Sequence, residues 1–126
     1  LRRAVDQALL ALPPDRERAT LVGVAGTVTT AYQIAHRIEP WDPDLVHGRL
    51  LALDTVEPLI ERMAALTPEQ RREVPGLDPG RADYIVAGMC LMSGLMRRFG
   101  CRELRVSDRG VRFGLLYEAW PLAAVV

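Results

Sequence analysis

Lysine is absent from this 126-residue sequence, so all 16 basic side chains are arginine. Any lysine-based phosphate contact and any Schiff-base chemistry are thereby excluded. A charge excess is missing too, because 16 acidic residues balance the basic ones. Nothing therefore resembles the electrostatic footprint of a nucleic-acid binder. Cysteine is limited to Cys90, in an apolar helical stretch, and Cys101, after Gly100. That arrangement does not suggest a disulfide framework and fits a reduced, cytoplasmic setting. His36 and His47 have no Cys, His or carboxylate at ligand spacing, which argues against a metal site. They read as a helix-end and a strand-start histidine. No apolar run approaches the ~20 residues of a membrane span. The opening Leu1-Arg2-Arg3-Ala4-Val5-Asp6 lacks a signal peptide's apolar core and an initiator methionine, and it reads as a fragment of a longer chain.

What is present suffices for one folded domain over residues 1–126, with 49% hydrophobic residues. The most informative segment is Val22-Gly23-Val24-Ala25-Gly26-Thr27-Val28-Thr29-Thr30, which joins a short apolar strand to a helix through glycines and hydroxyls. Glycine lets backbone approach a ligand closely and adopt positive φ, and the helix's free N–H groups attract an anion. Thr27 is a natural cap or a ligand contact. On local pattern alone the capping and packing role is favoured. Neither the dinucleotide fingerprint nor a Walker loop is present.

Along the chain, residues 1–12 fit the end of an amphipathic helix stopped by Pro13-Pro14-Asp15. Residues 20–25 suit a parallel strand covered on both faces. A helix follows to about His36, and Pro40-Trp41-Asp42-Pro43 breaks the chain. Residues 47–52 are a possible short strand ahead of a helix marked by Leu53, Val56, Ile60, Met63 and Leu66. Thr67-Pro68-Glu69-Gln70 has the form of a capping box. Asp78-Pro79 is expected to open the most apolar helix, which continues through Phe99 and has Gly88 and Gly94 as points of close packing. Leu104-Arg105-Val106 reads as a strand, Ser107-Asp108-Arg109-Gly110 as a turn, and residues 111–118 as a last helix. This order implies an α/β fold with parallel strands, whose ligands sit beyond the strands' carboxyl ends. Two strands are too few for a covered sheet, so upstream strands or a second copy should complete it, and a homo-oligomer is expected.

Four segments together resemble the exopolyphosphatase and guanosine pentaphosphate phosphohydrolase family. They are Gly23-x-x-Gly26-Thr27-x-Thr29-Thr30, then Val46-His47-Gly48, then Pro79-x-Arg81-Ala82-Asp83-x-Ile85-x-x-Gly88, and finally Val106-Ser107-Asp108-x-Gly110-x-Arg112-x-Gly114-Leu115. The resemblance implies an actin-like ATPase fold. This chain would be the carboxyl-terminal part of the second, ribonuclease-H-like domain: a short parallel sheet with several packed helices and a helical insertion around 39–80. It implies hydrolysis of terminal phosphoanhydrides of polyphosphate or guanosine pentaphosphate by the full-length enzyme, with magnesium and a water-activating glutamate. The family's glycine-rich phosphate loop and that glutamate have no counterpart here, so no catalytic residue and no bound metal are expected in this chain, which should be inactive alone. Gly23, Gly26 and Thr27 become candidate ligand contacts, as do Ser107, Asp108 and Arg112 at the last strand-to-helix junction, where Ser107 or Asp108 could equally cap the helix. Arg81 and Asp83 are either cleft electrostatics or a helix-start charge pair, with the charge pair preferred. The alternative to an enzyme part is a non-catalytic phosphate-binding or self-association module.

Overall fold

A computed structural model describes residues 1–13 and 20–120. Pro14 and Asp15, read as part of a helix stop, lie outside the described residues. Strands β1 (Val22–Val24), β2 (Leu50–Ala52) and β3 (Glu103–Ser107) form one sheet in the order β1-β3-β2. β1 and β3 are parallel, with Val22, Gly23 and Val24 opposite Arg105, Val106 and Ser107. β2 is antiparallel to β3, with Leu50 opposite Arg105 and Ala52 opposite Glu103. The expected parallel pair is thus joined by a third strand of opposite direction, and the sheet is mixed. The chain enters β2 at the carboxyl end of β3, where the Gly48 N–H donates to the Val106 carbonyl at 2.8 Å, and from there it can only run back along β3.

Seven α-helices accompany this sheet among the described residues: α1 (Arg2–Leu9), α2 (Gly26–His36), α3 (Pro43–Val46), α4 (Leu53–Ala64), α5 (Pro68–Arg72), α6 (Ile85–Arg98) and α7 (Val111–Ala119). The proline-rich break holds the short α3, whose N-cap Asp42 accepts from the Asp44 N–H at 2.9 Å. Thr67 and Gln70 make the reciprocal capping box of α5. Asp78 does not open α6. It caps a single 3₁₀ turn, Pro79–Arg81, and α6 begins only after Tyr84.

Helix α6 is central because it has almost no polar face, and it packs on α1, α2 and α4. Gly94 makes room for α1, since a Cβ there would stand 2.8 Å from Leu9 and 2.9 Å from Val5. The guanidinium of Arg97 then ties three helices together, donating to Asp6 of α1 at 2.9 Å and Glu57 of α4 at 2.5 Å. Its bond to Asp6 holds that guanidinium above the usual arginine range, so the clamp stays charged. Arg71 clamps α5 by donating to the carbonyls of Met63 at 2.7 Å and Ala82 at 3.1 Å.

The core gathers Ile34, Leu51, Val56, Met63, Ile85, Met89, Met96, Leu104 and Val106, all fully buried. It lies on one face of the sheet. On the other face Val22 and Val24 are 51% and 49% exposed, so β1 is not covered on both faces as its apolar run implies. The alternation of side chains along a strand explains the split, with Gly23 facing Val28 and Leu104 inside.

The register of β2 is directly testable, because a one-residue slip would exchange its two faces. Leu51→Ala should cost about 2–5 kcal/mol in urea unfolding, whereas Leu50→Ala should stay within about 0.5 kcal/mol of wild type.

Candidate anion-binding site

Three turns leave the sheet at one edge. The parallel register sets Val24 opposite Ser107, so Ala25-Gly26 and Ser107-Asp108 emerge side by side. Antiparallel β2 starts at the same edge and brings His47-Gly48 to the other side of β3. In open α/β sheets this carboxyl edge is where ligands bind.

The glycines of the first turn provide space rather than unusual dihedrals. Positive φ falls on Ala25, at φ 70° and ψ −179°, while Gly23 and Gly26 have none. That backbone region is essentially reserved for glycine, and an alanine there stores about 1–3 kcal/mol. Gly23 yields its volume to Val28, to which a Cβ would approach within 2.7 Å. Gly26 yields its own to Arg81, because a Cβ would fall on the guanidinium.

Thr27 does not cap α2. The N-cap is Ala25, no side chain caps the helix, and the first amides are left open. Thr27 instead packs on α6, its methyl and hydroxyl meeting Gly88 so closely that a Cβ there would lie 2.7 and 2.8 Å from them.

Arg81 and Asp83 do not form a pair. Asp83 turns to Arg72 of α5 at 3.3 Å. Arg81, 28% exposed, reaches from the 3₁₀ turn across Gly26, donates to Thr30 Oγ1 at 2.9 Å and stands 3.4 Å from Asp78. It also borders a cleft of about 410 Å³ that runs along α2 past Thr30 and Gln33 to Trp41.

Ser107 and Asp108 leave α7 uncapped, its N-cap being Gly110. The Ser107 hydroxyl accepts from the Arg109 N–H at 3.1 Å within the turn. Asp108 Oδ1 stands 2.7 Å from His47 Nδ1. Arg112 is exposed in the first turn of α7 and forms no ion pair among the described residues. Sequence reasoning missed His47 and Thr30. His47 carried a signal in the Val46-His47-Gly48 segment, but its carboxylate partner lies 61 positions away. Among the described residues no three His, Cys, Asp or Glu side chains gather as a metal site.

A mixed sheet, a helix that starts uncapped at its edge and a guanidinium laid against that start belong to part of an actin-like ATPase fold. The chain belongs to the Ppx/GppA phosphatase family, whose model matches residues 1–123. It is similar to exopolyphosphatase 2 of Mycobacterium tuberculosis, with 32% identity over 91% of this chain and 37% of the relative. A bifunctional 3-dehydroquinate synthase/phosphatase of Fusobacterium nucleatum is 28% identical over 79% of this chain and 15% of its own length. The Aquifex aeolicus Ppx/GppA phosphatase superposes with a TM-score of 0.86 at 26% identity, over 94% of this chain and 39% of that one. The chain therefore spans little more than a third of the mycobacterial and Aquifex proteins.

The contact between Thr27 and Gly88 separates packing from ligand binding. Gly88→Ala should destabilise the fold by about 1–3 kcal/mol through overpacking. Adding Thr27→Ala should recover most of that loss in a double-mutant cycle read by urea unfolding.

Proposed function

We propose that this chain forms one wall of the phosphate cleft of an exopolyphosphatase-type phosphohydrolase, acting on terminal phosphoanhydrides of polyphosphate or guanosine pentaphosphate, and that it does not turn over alone. One observation carries this reading: the Arg81 guanidinium lies against Gly26, at the uncapped start of α2. A cation at the positive end of a helix dipole is unfavourable in isolation. An anion received between the guanidinium and the free amides reverses the sign of that interaction and gains charge-assisted hydrogen bonds. Such donors neutralise charge on a transferred phosphoryl group. The water-activating carboxylate and the metal belong, on this reading, to the part of the relatives that this chain does not span. The name of the mycobacterial relative supports polyphosphate as the substrate. The open edge of β1, with Val22 and Val24 exposed, supports self-association when the chain is alone.

Phosphate release from polyphosphate tests the reading. The chain alone should release none. A chimera carrying the amino-terminal region of the mycobacterial relative ahead of it should release phosphate, and Arg81→Ala in that chimera should lower kcat/KM by about a hundredfold. Hydrolysis by the chain alone, or a folded chimera indifferent to Arg81→Ala, would overturn the assignment. Light scattering should find the isolated chain above the monomer mass.

A further inference from the structure

The pair His47–Asp108 belongs to the same edge, yet the phosphate reading above makes no use of it. The two side chains come from turns far apart in the sequence, and their facing atoms, Nδ1 and Oδ1, stand 2.7 Å apart, shielded from solvent, with neither atom in a well-formed hydrogen bond. The His47 side chain nevertheless retains 34% exposure. Nδ1 is enclosed, so that exposure falls on the rest of the side chain, which includes Nε2. A carboxylate this close to Nδ1 limits rotation of the ring, leaving Nε2 as the nitrogen that meets a ligand.

The backbone under His47 is held at several points. Its N–H donates to the Pro43 carbonyl at 2.7 Å, the Gly48 N–H donates to Val106 at 2.8 Å, and Arg105 donates to the Gly48 carbonyl at 2.7 Å. Gly48 turns at φ 76°, where an L side chain would be strained. An imidazole so anchored is a fixed feature of the edge.

We infer that His47, oriented by Asp108, is a second anion contact, which engages a phosphoryl group further along a linear oligophosphate whose end lies at Arg81 and the start of α2. The inference rests on the phosphate reading given above. Its geometric basis is the strand order. Between the Gly26 turn and His47 lies β3, so the two contacts are separated by two strand spacings, roughly 10 Å at about 4.8 Å each. A single phosphate cannot touch both, whereas a chain of phosphates laid across the edge can. When the ring carries both protons, Nε2–H donates to a phosphate oxygen while Asp108 balances the charge behind it. In this scheme His47 touches the ligand, and Asp108 is a positioning residue that acts through it.

Titration of the 126-residue chain with orthophosphate and tripolyphosphate, followed by nitrogen-15 NMR, tests the inference. Wild type should bind tripolyphosphate about tenfold more tightly than orthophosphate. His47→Asn keeps an N–H that faces Asp108 but removes the outer edge of the ring. It should fold normally and lose about tenfold in tripolyphosphate affinity with orthophosphate binding unchanged. The His47 Nε2 resonance of the wild type should move with tripolyphosphate and not with orthophosphate, which gives an answer even if the variant does not fold. Unchanged tripolyphosphate affinity in a folded His47→Asn, or a static Nε2 resonance, would show that the pair is only a latch. Orthophosphate binding that is lost in Arg81→Ala, with no preference for the longer anion, overturns this inference and leaves the phosphate reading standing. A wild type that binds neither anion sinks both.

Discussion

The hydrogen bonding of β3 along both of its sides is the constraint on which the rest depends. One side fixes the parallel partner, Val24 against Ser107, and the other fixes the antiparallel partner, Leu50 against Arg105. Through these two ladders, three turns from different parts of the sequence share one edge. The same ladders bury Leu104 and Val106 against the helices, so the register is held by apolar burial as well as by backbone bonds. A shift of one residue would expose that pair and separate the edge turns together, which couples the integrity of the core to the geometry of the site.

Glycines make room for close contacts, and arginines span them. Gly26, Gly88 and Gly94 each lack a side chain where a neighbour occupies the space: Arg81, Thr27, and the Val5 and Leu9 pair of α1. In a chain without lysine every long cation is a planar fork with several donors, and the structure uses that shape repeatedly. Arg71, Arg98 and Arg105 satisfy backbone carbonyls, Arg97 joins three helices, and Arg81 spans Gly26 and Thr30. An ammonium is a compact point charge without that planar fork. The alanine at positive φ in the first edge turn sacrifices local preference, and strain of this kind concentrates where backbone amides are aimed at ligands.

Several elements were legible from sequence because their determinants are local. The capping box of α5 lies within four consecutive residues, and α2, α4 and α6 announce themselves by apolar spacing. The strand-to-helix turn was marked by Gly26-Thr27, yet the role given to Thr27 was wrong as a cap. Capping and packing favour the same residue types, and only the position of Gly88 distinguishes them. The start of the apolar helix was misplaced for a similar reason: Asp78-Pro79 opens a helical turn in either case, and the interruption at Tyr84 has no local signature.

By itself, the sequence determined what short-range chemistry determines: the helical periods, the proline and glycine breaks, the absence of lysine and of a charge excess, and the family to which its four segments point. Tertiary structure alone decided which partner each polar group takes. Arg81 left Asp83 for Gly26 and Thr30, Asp83 went to Arg72, and Asp108 met His47 rather than an amide of α7. Those choices depend on strand register and helix packing, which bring together residues whose separation along the chain carries no periodic signal, and side-chain hydrogen bonds act only over the few ångströms that folding creates.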